Sequence, residues 1–556
     1  MEAHVGTSRE ARTPSDPKFQ ADSRTNAAAN TRPEAPSAQP SDQHKLRGPR
    51  EGTAKRSVAR RVGTWIGWIA AVLGTILYGA SIWVLDTFGQ ISFQQMIANI
   101  PGLGGEGGGA NPAFIQSFIV NAVVIPLAIL AGCALIYFAW IRHTQARSPR
   151  NFFARHHRMF AGLSSIGILT VGTFSASSAM GIPSYIRGIV TDVSISDYYK
   201  EPVITSTPAD PKNLVLIYLE SMDKDFGSAE YMGEDLLTDL QQSTQGWTSV
   251  PTLTMSPYYG YTMGGVVTTQ CGIPPKPAEG MVMTEAAPQA NNNIGSGKST
   301  YMPGATCLGD VLKDAGYTNV YMGGAPESFA SKGTFLKTHG FDTVLGYEHW
   351  KDIGETQFSG WGLSDQRLFE NAKEEVLALH NGNQPFTLSM ITLDNHAPIK
   401  DFGYCPNTTG NIEKNTVTCQ SQIVSDFIDY MKDEGILDDT MVVVMADHQV
   451  FTTADIAEYK RDMGWTDQQQ LPLFNAMWSP DGIELARDDS TQANMFPTIL
   501  EALGFGVEDH RAGLGVSLLV PESAVSSQPT ILDLNFADLA NLYNSSSTDL
   551  YKKMWK

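Results

Sequence analysis

The stretch "TMVVVMADH", Thr440–His448, decides the fold. Its apolar run is too short for a helix and shows no polar alternation. Such a run reads as a strand buried on both faces, the condition of strands in a parallel sheet. It then stops at two ionisable residues, Asp447 and His448. The same shape recurs in "NLVLIYLES" (213–221), which ends in Glu220, and in "FTLSMITLDNH" (386–396), which ends in Asp394, Asn395 and His396. "GYTNVYMGG" (316–324) and "LPLFNAMWS" (471–479) add two more runs. Helical patterns separate them, at Cys307–Ala315, Ser364–Leu379, Ser421–Glu434 and Gln492–Leu503. Strands alternating with helices predict an α/β sandwich, with a parallel sheet covered on both faces.

The strand ends carry the chemistry. Open α/β sheets bind ligands beyond the carboxyl ends of their strands. Three strands therefore bring Glu220, Asp447, His396 and His448 to one edge. Carboxylate oxygens with imidazole nitrogens suit one divalent ion, Mn²⁺ or Mg²⁺, with Zn²⁺ also compatible. Taken singly, each residue is equally well a polar cap on its strand; taken together, they predict a metal site.

A hydroxyl beside such a metal suits phosphoryl or sulfuryl transfer, because the metal lowers its pKa and offsets charge on the transferring group. The best placed is Thr262, in "SPYYGYTMGGVVTTQCGIPP" (256–275). Gly260, Gly264 and Gly265 would let backbone approach an anion closely. If a helix starts at Met263, Thr262 stands at its N-cap, where free N–H groups favour anions. An ordinary capping threonine explains the same residues. Thr268 and Thr269 read as structural.

The 556 residues carry a net charge of −19, unevenly placed. Residues 1–158 hold 17 Lys/Arg against 9 Asp/Glu, and residues 159–556 hold 22 against 49. An acidic body excludes nucleic acid as the partner, since binding phosphates needs a basic surface. Residues 1–57 have almost no large apolar side chain, so they predict a disordered segment. Three apolar runs follow, at about 62–84, 114–141 and 159–186, each long enough to cross a bilayer. The third is rich in Ser and Gly and reads also as a re-entrant or buried segment. Arg47–Arg61 and the five-Arg loop Arg142–Arg158 are basic, whereas Asp86–Pro112 has no Lys or Arg. Basic flanks stay cytoplasmic, so the N-terminus is expected inside and everything after about Arg187 outside a bacterial plasma membrane.

Cysteine usage agrees. Cys133 lies in an apolar run and reads as a small hydrophobe; Cys271, Cys307, Cys405 and Cys419 lie in the acidic part. Two disulfides are expected there, Cys271–Cys307 and Cys405–Cys419, against the alternative of four buried thiols. "NIGSGKST" (293–300) suggests a phosphate-binding loop, but Asn292 stands where the pattern requires Gly and no strand precedes it. The expected domains are the disordered 1–57, a transmembrane region 58–187, a linker 188–212, a catalytic domain 213–522 and a tail 523–556. The closing "YKKMWK" reads as a frayed end, with contact to membrane or a partner as the alternative.

From about Asn213 to Leu519 the chain resembles the membrane-anchored phosphoglycerol transferases, including the lipoteichoic acid synthases. The resemblance rests on "NLVLIYLES", "YTMGGVVTTQCGIP", "CLGDVLKDAGY", "GGAPESFASKGTFLKTHGFD", "WGLSDQRLF", "TLDNHAP", "ADH" and "GLGVSLL", in that order. It implies an alkaline phosphatase/sulfatase-like fold. It implies Glu220, Thr262, Asp447 and His448 as metal ligands, with Thr262 also the nucleophile. His396 would contact the phosphoryl group or protonate the leaving group. In "FASKG" (329–333), Ala330 and Lys332 stand where lipoteichoic acid synthases carry Trp and Arg. Lys332 would bind phosphate as a point charge without the bidentate fork, or else be a surface lysine. The implied reaction moves glycerophosphate from phosphatidylglycerol to an envelope glycan or lipoglycan through a phospho-threonine. The competing expectations are a phosphoethanolamine transferase or sulfatase-like hydrolase with the same core, and a membrane-anchored binding protein without activity.

Overall fold

The computed structural model describes residues 51–88, 116–148, 150–190, 193–276, 300–396, 399–450, 471–545 and 548–556. Most of the N-terminal segment, most of the loop Asp86–Pro112 and nearly all of "NIGSGKST" lie outside them. Two units are distinguished, Met1–Arg61 and Val62–Lys556; the described part of the first is helical.

Six strands form the central sheet: β1 (Asn213–Leu219), β2 (Thr318–Gly323), β3 (Thr343–Leu345), β4 (Phe386–Ile391), β5 (Thr440–Ala446) and β6 (Asn475–Trp478). Their order is β3-β2-β4-β1-β5-β6. The first five are parallel, and β1, β4 and β5 have every residue buried. This is the expected α/β sandwich with two differences. The short edge strand β3 lacks an apolar run, and β6 pairs antiparallel with β5. An apolar run reports burial and says nothing of direction, and an antiparallel edge on a parallel sheet is common.

Three helices are long and apolar enough to cross a membrane, within α1 (Glu51–Phe88), through α2 (Ile125–Arg147) with the π-helical turn Ile119–Val124 before it, and along α3 (Phe152–Ala179). α3 lies upstream of the predicted 159–186, because the chain turns at Met180–Gly181 (φ +62° at Gly181) and starts a separate helix, Ile182–Val190. Small residues let these helices touch: a Cβ on Gly172 would fall 2.0 Å from the Gly74 carbonyl oxygen.

The helices around the sheet are α4 (Thr262–Cys271), α5 (Leu308–Asp314), α6 (Lys332–Thr338), α7 (Asp365–His380), α8 (Ile412–Asp433) and α9 (Met495–Ala502). α8 starts nine residues before the predicted Ser421. The Asn411 side chain accepts from Lys414 N, and a polar first turn hides the buried Val417 and Cys419 that follow. Both expected disulfides are present, Cys271–Cys307 between α4 and the start of α5, and Cys405–Cys419 onto α8.

The C-terminus corrects the expectation of a frayed end. α10 (Phe536–Asn544) and α11 (Thr548–Met554) bury Leu539, Leu542, Tyr543, Tyr551 and Met554 in the main core. The reason is helical spacing of apolar residues, which the flanking Lys and Ser obscure. The Lys276 ammonium donates to the carbonyls of Tyr543 and Ser545, Tyr551 OH donates to Pro274 O, and Trp555 Nε1 donates to Lys276 O. α10 lies against Ile182–Val190, and α11 against the short helix Ile195–Tyr198. The residues expected as a linker also pair: Ile204–Ser206 forms a ribbon with Gly506–Val507, and the Arg511 guanidinium donates to Tyr198 O.

Candidate metal centre

β1 and β5 run side by side to their carboxyl ends, with Leu219 opposite Ala446. The next residues, Glu220 and Asp447-His448, therefore emerge together, and all three are buried. Asp447 N still donates to Leu219 O, so the sheet pairing holds the first of the two side chains in place. Single ligand atoms of Glu220, Asp447 and His448 lie within 4.8 Å of one another. His448 Nε2 is 3.3 Å from Glu220 Oε1 and 3.4 Å from Asp447 Oδ2. Its Nδ1 is 2.7 Å from Gln449 O, a carbonyl that fixes the proton on Nδ1 and leaves Nε2 as the ligand atom.

The groups around these ligands are equally ordered. Ser221 adopts φ +54° and donates its hydroxyl to Glu220 Oε1 at 2.7 Å. Asp447 Oδ1 accepts from the backbone N–H of Ser221 and His448. Glu220 N donates to Thr392 Oγ1, and the Asn395 amide donates to the carbonyls of Glu220 and Ser221. The Asp447 carbonyl takes the Gln492 amide at 2.6 Å. Ser221, Thr392 and Asn395 all lie in the strand runs read from the sequence, and Gln492 opens a predicted helix, but the sequence alone assigns none of them this supporting role.

Thr262 is the first residue of α4, not its cap; Tyr261 holds the extended N-cap conformation. The Thr262 hydroxyl donates to Glu220 Oε2 at 3.3 Å. The glycines act differently from expectation. A Cβ on Gly265 would fall 1.9 Å from Asp447 O, and one on Gly264 would fall 2.2 Å from Tyr259 O. Gly265 lets α4 sit directly on the end of β5 and so brings Thr262 to the cluster, while Gly264 lets the chain before the helix fold back over its first turn, so neither opens space for an anion. Thr268 donates to Gly264 O within the helix, as a structural residue would.

Burial and mutual charge set the protonation of the cluster. Burial pushes the Asp447 carboxyl up to about 7, and the Glu220 charge adds to the effect. Burial alone would also raise Glu220, but the His448 and His396 imidazoles outweigh it and hold this carboxyl below the usual range. Burial would lower His448; Asp447 and Glu220 outweigh it and push the imidazole up to about 10. Asp447 Oδ2 is buried without a hydrogen-bond partner among the described residues. A divalent cation would satisfy that oxygen and neutralise the two carboxylates, so the donor set fits one with oxygen and nitrogen ligands.

A partly open recess lies against the cluster, lined by Glu220, Thr262, Phe329, Lys332, Trp361 and His396. Lys332 opens α6 after two residues in the left-handed region, Ala330 and Ser331. It is only 5% exposed, which excludes the surface-lysine alternative. Burial lowers its ammonium to about 8 against the opposing pull of Glu220 and Asp447. His396 completes the turn after β4, its N–H donating to Leu393 O. The adjoining Asp394 points its chemistry elsewhere. Its carboxylate accepts from Asp365 N and Tyr404 OH, while the Asp365 carboxylate accepts from Leu393 N, Asp394 N and the Gln420 amide. The ends of β1 and β5 and the start of α4 thus bring together Glu220, Asp447, His448 and Thr262, with His396 and Lys332 lining the same recess.

A family profile described as Sulfatase matches residues 212–505. A phosphoglycerol transferase I of Xanthomonas campestris pv. campestris (strain B100) is 31% identical over 329 residues, 57% of this chain and 44% of that protein. A phosphoglycerol transferase I of Salmonella typhi is 28% identical over 493 residues, 83% of this chain and 57% of that protein. The chain therefore spans about half the length of these curated relatives. The lipoteichoic acid synthase LtaP of Listeria monocytogenes superposes with a TM-score of 0.42 at 17% identity, over 60% of this chain and 81% of that structure.

Proposed function

The chain belongs to the sulfatase family, and we propose that it transfers glycerophosphate from phosphatidylglycerol to an envelope glycan or lipoglycan through a phospho-threonine. The single observation carrying this reading is the Thr262 hydroxyl hydrogen-bonded to Glu220 inside the buried cluster, with Lys332 and His396 lining the same recess. The names of the curated relatives support glycerophosphate as the group moved.

A divalent cation held by Glu220, Asp447 and His448 would lower the pKa of the Thr262 hydroxyl and offset charge on the transferring phosphoryl group. Thr262 Oγ releases its proton to water and bonds to phosphorus. The bond from phosphorus to the diacylglycerol oxygen breaks, and His396 supplies that oxygen's proton. Lys332 neutralises a phosphoryl oxygen. An acceptor hydroxyl then gives its proton to His396 and bonds to phosphorus, the Thr262 oxygen leaves and takes a proton from water, and the product carries glycerophosphate. The three apolar helices support a site held beside lipid headgroups, and the two disulfides support a domain outside the cytoplasm.

The test supplies the full chain with labelled phosphatidylglycerol or phosphatidylethanolamine, a divalent metal and acceptor glycans, and follows headgroup and diacylglycerol. Diacylglycerol release from phosphatidylglycerol with label passing to glycan is expected. Absence of phosphatidylglycerol turnover sinks the reading; transfer from phosphatidylethanolamine alone would replace it with phosphoethanolamine transfer.

A further inference from the structure

Trp361 lines the recess but belongs to none of the roles assigned above. Three observations set it apart. Its ring lies against His396, with centroids 4.1 Å apart and planes tilted by 45°. The Phe329 ring meets the Trp361 indole edge-on, with centroids 5.8 Å apart and planes at 69°. Its indole Nε1 is buried and has no hydrogen-bond partner among the described residues.

The backbone holds this side chain in place deliberately. Ser359 Oγ accepts from both Trp361 N and Gly362 N, and Ser359 N donates to Gly362 O. A Cβ on Gly362 would fall 2.2 Å from Gly324 O, so the turn is pressed onto the end of β2. A buried donor left unsatisfied is costly, and such groups ordinarily await a water or ligand acceptor. An indole also packs the C–H faces of a small polyol while offering that donor at its edge. Lys332 supplies the opposite selection, because its buried ammonium in the same recess disfavours a headgroup that ends in another ammonium.

We propose that Trp361, with Phe329 and Lys332, forms the headgroup subsite that accepts the neutral three-carbon polyol of the transferred group and rejects an aminoethyl group. The indole N–H donates to a polyol hydroxyl, and the ring packs the carbon chain. Trp361 also keeps the His396 imidazole beside the phosphoryl position, so it acts in both specificity and positioning. The inference rests on the transfer reading given above.

The experiment compares the wild-type full chain and Trp361→Phe on vesicles of phosphatidylglycerol and of phosphatidylethanolamine, reading diacylglycerol release. Phe keeps a ring against His396 and removes the donor. A single hydrogen bond corresponds to about five- to tenfold in affinity. KM for phosphatidylglycerol should rise by about that factor with kcat within about twofold, and the preference over phosphatidylethanolamine should fall alike. Unchanged KM and preference in Trp361→Phe, with the wild type active on phosphatidylglycerol, overturns the subsite alone. A wild type inactive on phosphatidylglycerol overturns both the subsite and the reading beneath it. Should Trp361→Phe fail to fold, calorimetric titration of the Thr262→Ala chain decides. Tighter binding of glycerol 1-phosphate than of O-phosphoethanolamine is expected, and equal binding overturns the proposal.

Discussion

Asp394→Asn should stabilise this protein at neutral pH and destabilise it in acid. Asp394 is 8% exposed, and burial pushes its carboxyl up to about 6. Its neighbour Asp365 is raised as well, by burial and by the Asp394 charge. An unfolded Asp titrates near 4, so ionising Asp394 costs on the order of 3 kcal/mol more in the folded chain. The folded state holds the extra proton between those values. The group's contribution is therefore full below about pH 4 and lost as pH climbs through 6. Asn never ionises and escapes that loss. Its amide oxygen can still accept from Asp365 N and Tyr404 OH, which the carboxylate oxygen accepts now. Below about pH 6 the carboxyl is already neutral, so the exchange is of a protonated carboxyl for an amide. The amide NH2 takes the place of Asp394 Oδ1, an oxygen buried without a partner among the described residues, and leaving it unsatisfied costs about 1 kcal/mol. The net expectation is a loss of about 1 kcal/mol at pH 4 and a gain of about 2 kcal/mol at pH 7.5. Urea unfolding of both full chains in detergent, at several pH values, measures the difference directly. Carboxylates elsewhere act alike on both chains and cancel. A difference that stays constant with pH, or shrinks as pH rises, would refute the reasoning.

Three further outcomes are expected. Thr262→Ala should abolish covalent labelling by a phosphatidylglycerol-derived headgroup while Thr262→Ser retains some, as intact-mass analysis would show; labelling that survives Thr262→Ala places the nucleophile elsewhere. In the cation-free cluster, His448 titrates at about 10 and Asp447 at about 7, so a cation must displace protons. Its affinity should rise with pH, with about one to two protons released at pH 7; calorimetry in buffers of different ionisation enthalpy that finds no release contradicts the ligand set. Tyr551→Ala should cost about 3–5 kcal/mol, because the ring is wholly buried and its hydroxyl holds Pro274 O. A cost within about 0.5 kcal/mol in chemical unfolding would show that the C-terminal helices are not docked.

The difference between what the sequence announced and what it concealed follows from how far each signal reaches along the chain. Glu220, Asp447 and His448 each follow a buried strand directly, and parallel neighbours bring such ends together without further information. The glycines after Thr262 were visible, but their partner was not: the Asp447 carbonyl that excludes a Cβ at Gly265 lies 182 residues away in sequence. Asp365 and Trp361 were hidden for the same reason. Each reads locally as a helix start or a loop aromatic, and only the packing of the β2, β4 and α7 ends gives it a partner. The C-terminal helices escaped notice because their buried faces are short and lie among Ser, Asn and Lys.

Those concealed contacts suggest why the site needs so much of the chain. α4 is gripped at both ends: at Thr262 by Glu220, and at its far end by the Cys271–Cys307 disulfide. Beyond the disulfide, Pro274 and Lys276 are tied to α10 and α11. α10 in turn lies against Ile182–Val190, the helix that follows the last apolar span. A continuous series of packed elements therefore runs from the apolar helices to the helix that begins with Thr262. Disturbing α10 or α11 should move Thr262 relative to Glu220, since the disulfide transmits displacement without letting the chain unravel. The stability cost of Tyr551→Ala and its effect on turnover should accordingly appear together. A variant in which stability falls while headgroup transfer persists at the wild-type rate would show that α4 is positioned by β5 and Gly265 alone.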